Sequence, residues 1–310
     1  EGYSTASASA LAEELGRPYE ANLDALKASD CIVAMGVNLG ETHMVAGFLV
    51  KRNLPNGTRL IVVDSGQNAL DPQANLSLKA SSGSDADVIR GLRAALIRLG
   101  LVEGGLVSAA QDLAASAQAT GISEDNFLRA AGMIGTSKSP AFVYGKGLIG
   151  KNSPQTLRQL VDLAGLVKAA MISVKGGANS LAAAQFNLQK PFQVNGHQAV
   201  YVALGDDTPS QRLLQRLEAV PFLAVQASYT SRLTAMADVV LPVEMWAEQE
   251  GHFVNLEGRV QKAARILTPA QDVLSNAAVL ESLAGQMGIE TNDEWNQALC
   301  ERPAPVVISA

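Results

Sequence analysis

The sequence predicts an α/β protein made of two doubly wound, mostly parallel sheet domains, and three observations predict it. Short runs that are apolar at every position recur along the chain, as expected for strands covered on both faces rather than the alternation of a half-open sheet. Between them lie stretches with the apolar spacing of amphipathic helices. Glycines and small polar residues gather directly after the apolar runs, where the strands of a parallel sheet end and ligand-binding crevices form.

In chain order, residues 3–16 carry Ala6, Ala10, Leu11 and Leu15 at helical spacing and end on glycine. A second short helix is expected at 22–29. Asp30 then opens the strand Cys31–Met35, followed by a loop from Gly36 to His43 and a helix over 43–52. The turn Pro55-Asn56-Gly57 leads into a strand at 60–64, completing a strand–helix–strand unit with a right-handed crossover. A strand at 76–78 ends in Ser81-Ser82-Gly83-Ser84-Asp85, and a helix over 85–99 begins there, with Ser84 or Asp85 as its cap. A further helix starts in Ile122-Ser123-Glu124-Asp125. Residues 141–145 form a strand, a loop runs from Gly145 to Ser153, and a helix continues through Leu166. The first domain is expected over 1–177.

The second domain, 178–310, repeats the theme. Helices are expected at 179–186, 211–218 and 230–237, with strands at 199–204 and 222–226, and at Val239-Val240-Leu241 before Pro242. A polar, glycine-punctuated loop spans 248–261, an amphipathic helix runs over 268–288, and the tail 302–310 has the character of a linker or frayed end.

Length and composition narrow the function. A chain of 310 residues is long for one core. Its composition, 47% apolar, 17% charged and 5% aromatic, is that of a globular protein. The net charge is −6 with scattered lysines and arginines, which gives no nucleic-acid footprint. No apolar run reaches the roughly 20 residues of a membrane span. The amino terminus, Glu1-Gly2-Tyr3-Ser4, lacks an initiator methionine and a signal sequence and reads as part of a longer chain. Cys31 and Cys300 are too few and too far apart for a four-cysteine iron–sulfur cluster or a zinc site, and Cys31 reads as a small core residue. His43, His197 and His252 are isolated from one another, so no metal ligand set is assigned.

Four loops at expected strand ends could cradle a nucleotide: 36–43, 64–68, 81–85 and 145–150. Glycine lets amides approach phosphate, and helix starts add partial positive charge. Asp64 at a strand end could accept from a ribose or a guanine edge. The same loops are also compatible with ordinary strand-to-helix turns, and none matches G-x-G-x-x-G or G-x-x-x-x-G-K-[ST].

The run Glu250-Gly251-x-Phe253-Val254-Asn255-x-Glu257-Gly258-Arg259-Val260-Gln261, placed after Asp238-Val239-Val240-Leu241-Pro242, resembles the molybdopterin oxidoreductase family. It is most similar to the large iron–sulfur subunit of NADH-quinone oxidoreductase and, next, to the formate dehydrogenase alpha subunit. The segment from Ala28 to Asn38, Glu41-x-His43, residues 60–64, Ser82-Gly83-Ser84-Asp85 and Val143-Tyr144-Gly145-Lys146-Gly147 also resemble that family, in its order. The resemblance implies Rossmann-like domains and loops that help hold a molybdopterin guanine dinucleotide. Gly36, Asn38, His43, Asp64, Gly83, Asp85, Gly145 and Gly147 are the candidate cofactor-binding residues. Departures are present. Tyr3-Ser4 stands about where active members carry a cysteine or selenocysteine metal ligand, and Asp64 precedes Ser65-Gly66-Gln67 rather than proline and arginine.

Two functions follow from the resemblance. One is a scaffold domain of a protein like the large iron–sulfur subunit of NADH-quinone oxidoreductase, with the cofactor lost and no metal chemistry or iron–sulfur cluster of its own. The other is the central fragment of a formate dehydrogenase-like molybdenum or tungsten enzyme. Either implies partner subunits of a redox complex and an upstream iron–sulfur domain in the same polypeptide. Either also implies a cytoplasmic location, peripheral to the membrane through those partners, and an isolated chain without redox activity. Arg259 is expected to pair with Glu250 or Glu257.

Overall fold

The structure is a computed structural model and describes residues 21–145, 148, 153–174, 177–186, 188, 192–194, 196–292 and 294. The helix expected at 3–16, the tail at 302–310 and Gly147 lie outside the described residues. The first part of the chain is ordered as α1 (Ala25–Ala28), β1 (Cys31–Met35), α2 (Leu39–Thr42), α3 (Met44–Asn53), β2 (Arg59–Asp64) and β3 (Leu76–Lys79). It continues with α4 (Asp85–Arg98), α5 (Leu106–Thr120), α6 (Glu124–Gly135), β4 (Pro140–Tyr144), α7 (Ser153–Leu166), β5 (Ala170–Ser173) and α8 (Ser180–Gln185). The chain forms two compact units, the described part of Glu1–Gln189 with Val254–Arg259, and Lys190–Phe253 with Val260–Arg302.

The five strands of the first unit pair in parallel in the order β3-β2-β1-β4-β5. Every residue of β1 is 0% exposed, because the strand is central and apolar on both sides. One face packs Val33 and Met35 against α4, α5, α6 and α7 through Leu92, Leu113, Phe127 and Leu160. The other packs Ile32 and Ala34 against Leu26, Ala46 and Val50 of α1 and α3. Helix α4 comes close to α5 and α6 at Gly91, where a Cβ would meet the Phe127 ring at 2.6 Å and the Ser116 Cβ at 3.0 Å. Asp30 locks the entry side of the sheet. Its carboxylate accepts from the Ser137 hydroxyl, from Lys138 N at 2.9 Å and from Ser139 N at 3.0 Å, while its carbonyl accepts from Arg59 N at 3.0 Å.

The second unit contains β6 (Ala199–Gly205), α9 (Gln211–Leu217), β7 (Phe222–Ala227), α10 (Arg232–Met236) and β8 (Val239–Pro242). Its strands pair in parallel in the order β6-β7-β8. Consecutive right-handed crossovers in one direction put both connecting helices on the same face. There Val200, Leu223 and Val225 pack against Leu214, Leu217 and Leu233. Ser231 and Thr234 close a reciprocal capping box at the start of α10.

All seven expected strands, that at 76–78 included, are strands. Three elements are additional, the one-turn helix α2 inside the loop expected at 36–43, helix α5 and strand β5. Helix α5 carries alanine, serine and glutamine with little apolar contrast, and β5 is only four residues long. The loop expected at 248–261 instead holds two paired strands, β9 (Gly251–Val254) and β10 (Val260–Ala263). The link between them is too short for a parallel crossover, so they form a hairpin. Its turn is held by Asn255, whose side chain accepts from Glu257 N and Arg259 N. The last helix, α11 (Asn276–Gln286), is shorter than the expected 268–288 because Ser275 caps its start. The pairing expected for Arg259 is corrected. Arg259 is exposed, Glu257 accepts from Leu23 N at 2.8 Å, and Glu250 lies 3.6 Å from Lys262 Nζ.

Asp30 yields a pH prediction. Partial burial pushes its carboxyl up, but the Ser137, Lys138 and Ser139 donors outweigh this and hold it at about 2, below 3.8. A depressed folded pKa contributes stability that is present above the unfolded value and is lost as pH falls from about 4 toward 2. Asp30→Asn is expected to lower unfolding free energy at pH 7 by about 1–2 kcal/mol after allowing for solvent screening, with the difference shrinking below pH ~4. Urea melts across that pH range check it.

Candidate functional site

In a sheet of order β3-β2-β1-β4-β5 the connections reverse direction between β1 and β4, so a crevice opens outside their carboxyl ends. A cavity of about 470 Å³ lies there, lined by Gly36, Val37, Asn38, Thr42, His43, Gly177 and Ala178. Gly36 leaves β1 with φ +59°, a left-handed conformation that favours glycine, and donates its amide to Val63 O at 2.9 Å. The amides of Val37 and Asn38 donate to no acceptor within the chain among the described residues. Asn38 O accepts from Thr42 Oγ1 at 2.9 Å, and His43 Nδ1 lies 2.9 Å from the same hydroxyl. Gly145 closes against this loop, where a Cβ would meet the Val37 Cβ at 2.9 Å.

The loop after β2 is folded onto itself. Asp64 Oδ1 accepts from Gly66 N at 3.3 Å and Oδ2 from Asn68 Nδ2 at 2.9 Å. Asn68 is buried. Its side-chain Nδ2 also donates to Val37 O at 2.8 Å, its Oδ1 accepts from Leu70 N, and its main-chain amide donates to Asp71 Oδ2. Lys79 is drawn to Asp71 Oδ2 at 2.7 Å and Gly66 O at 2.6 Å, and Ser77 donates to Asp71 Oδ1. Asn38 Oδ1 accepts from Ala69 N, and Gly40 lies so near Ala69 that a Cβ there would come within 2.7 Å of the alanine's. Two loops separated by a whole crossover helix are thus tied into one wall.

After β3, Gly83 has φ +80° and open space where a side chain would stand. Ser84 occupies the cap position of α4 but donates its hydroxyl to Ser81 O at 2.6 Å instead of accepting from the helix. Asp85 opens α4. Burial pushes its carboxyl above the ordinary range, and the Asp64 carboxylate adds repulsion.

Gly36, Asn38 and His43 therefore line one cavity, Gly145 packs on its wall, and Asp64 reaches that wall through Asn68. Asp85 senses Asp64, and Gly83 stands open at the third strand end. Sequence reading named the loops that hold Thr42 and Asn68 without singling out either residue, and missed Gly177 and Ala178. Among the described residues no group of three or more histidine, cysteine, aspartate or glutamate side chains is placed to hold a metal ion. Among the same residues no helix is long and apolar enough to cross a membrane.

A doubly wound sheet with glycine-rich loops at its reversal point defines a dinucleotide-type α/β module. The model of the molybdopterin oxidoreductase family matches residues 1–286, and the chain belongs to that family. It is 21% identical to the F420-dependent formate dehydrogenase 2 subunit alpha of Methanococcus maripaludis, over 85% of this chain and 48% of that protein. It is 23% identical to a G-type subunit of the NADH-quinone oxidoreductase of Rhizobium meliloti, over 84% of this chain and 36% of that one. The fold is similar to acetylene hydratase from Pelobacter acetylenicus, with TM-score 0.61 and 19% identity, covering 84% of this chain and 48% of that structure. The chain spans about half, or less, of the length of these relatives.

Two substitutions probe the wall. Asn68→Ala leaves Val37 O and Asp64 Oδ2 without their donor and is expected to cost about 2–3 kcal/mol in chemical denaturation. For Asp85 the sign reverses. A raised folded pKa penalises the charged form above the unfolded value of 3.8, and that penalty is relieved as pH falls. Asp85→Asn is expected to raise the melting temperature at pH 7, with the gain disappearing in acid; thermal scans from pH 3 to 8 read it.

Proposed function

We propose that this chain is the molybdopterin oxidoreductase-type domain of a large electron-transfer subunit, similar to the large iron–sulfur subunit of NADH-quinone oxidoreductase, and works as a scaffold without metal chemistry of its own. The observation that carries this reading is the closed loop after β2. Residues 65–70 contain no lysine or arginine, both oxygens of Asp64 are engaged within the loop, and Lys79 is tied to Asp71 and Gly66. The described cavity lining likewise contains no lysine or arginine to neutralise a pyrophosphate. Partners under this reading are other subunits of a redox complex and an iron–sulfur domain upstream in the same polypeptide, at the cytoplasmic side of a membrane.

A second reading is favoured by the amides of Val37 and Asn38, which fit phosphate oxygens, and by the open space at Gly83. Under it the chain is the central part of a formate dehydrogenase-like subunit. Gly36, Asn38, His43, Gly83 and Gly145 would then hold a molybdopterin guanine dinucleotide, with Asp64 or Asp85 accepting from its guanine edge and Gly147 contributing from the following loop. When bound, that group supplies metal-centred redox chemistry. The chain's own residues supply main-chain donors, carboxylate acceptors and the hydrogen-bonded His43–Thr42 pair at the cavity.

Calorimetry with a guanine dinucleotide against its adenine analogue separates the two. The scaffold reading expects no heat of binding at millimolar ligand; guanine-selective binding overturns it in favour of the second.

A further inference from the structure

The run from Glu250 to Gln261 carries the family resemblance, yet none of its residues lines the cavity. Its hairpin tip, Val254–Arg259, belongs to the first unit. There it grips the residue that follows Gly177 and Ala178. Val254 N donates to Asn179 Oδ1 at 2.7 Å, and Asn179 N donates back to Val254 O at 3.1 Å. Val254 is buried, and Gly258, with φ +84°, approaches α8 so that a Cβ there would stand 3.6 Å from Leu181 Cδ2. Glu257 Oε1 accepts from Leu23 N at 2.8 Å. One tip therefore holds two separate stretches of the unit, one ahead of α1 and one at the start of α8.

Packing does not fix Gly177 and Ala178 where they line the cavity. Both are exposed, and a Cβ on Gly177 would meet nothing within 4 Å. Asn179 beside them has φ +66°, a left-handed conformation that a residue other than glycine keeps only when its surroundings impose it. The reciprocal pair of bonds with Val254 imposes it here. We infer that the hairpin tip buttresses the cavity wall, with Asn179 as the positioning residue through which it fixes Gly177 and Ala178. The inference goes beyond both readings of function, since it concerns how the wall is held and not what the cavity holds.

Amide hydrogen exchange read by mass spectrometry on the 310-residue chain tests it, each variant being scored on the stretch it does not alter. Asn255→Ala removes the acceptor that Glu257 N and Arg259 N share, which loosens the tip, and is read over residues 177–183. Asn179→Gly keeps the left-handed backbone, removes the acceptor of Val254 N, and is read over residues 252–260. Each is expected to speed exchange on the opposite stretch by about tenfold or more, with β1 and β4 as protected as in the parent. Asn179→Asp retains an Oδ1 acceptor and is expected to restore parental exchange over the tip. Parental protection of 177–183 in the Asn255→Ala chain overturns the proposal, because the wall then holds itself. Equal exchange over the tip in the Gly and Asp variants removes Asn179 from its role. Loss of protection that extends to β1 and β4 also overturns it, since the contact would then serve the fold as a whole.

Discussion

A central parallel strand buried on both faces has no side-chain means of meeting water, so every polar obligation of its neighbourhood is moved to its ends. Strand β1 imposes this on the first unit. At its entry Asp30 gathers the starts of β2 and β4, with one carbonyl and one carboxylate serving four residues. At its exit Gly36 and Gly145 extend the ladders by one bond on each side, to Val63 O and Met35 O, before the chain turns away. The unspent amides of Val37 and Asn38 stand where that turn begins, at the cavity outside the reversal between β1 and β4.

The same constraint decides what was legible in the sequence. Runs such as Cys31–Met35 could be read directly, because a strand with no wet face cannot alternate. Helix α5 could not, since its contact with α4 relies on small residues such as Ala109 and Ser116 rather than on an apolar stripe. The hairpin β9–β10 was hidden by its glycines and charges, which describe a loop as well as they describe an exposed ribbon. Arg259 illustrates a related error. Neighbouring carboxylates in sequence were read as partners, but in a hairpin turn Asn255 organises the backbone, leaving Arg259 exposed while Glu257 accepts from Leu23 N.

At the site, glycine positions were informative because their reason is local: a left-handed φ at Gly36 and Gly83 needs no knowledge of distant residues. Asn68 gave no such signal. An asparagine in a polar loop is ordinary, and its importance arises when Val37 and Asp64, from two different strands, arrive on either side of one amide group. Asp85 is intermediate between these cases. Its place at a helix start was visible, but burial and the nearby Asp64 depend on how β2 and β3 lie side by side.

The close approaches around the cavity carry a consequence for change over time. Gly40 against Ala69 and Gly145 against Val37 leave less than one methyl group of clearance, and Asn68 fixes the spacing between the first two loops. Lengthening any one of these connections by a residue would push it into another. An insertion in one loop therefore calls for a matching change in the loop it faces, although the three are scattered across more than a hundred positions of the chain.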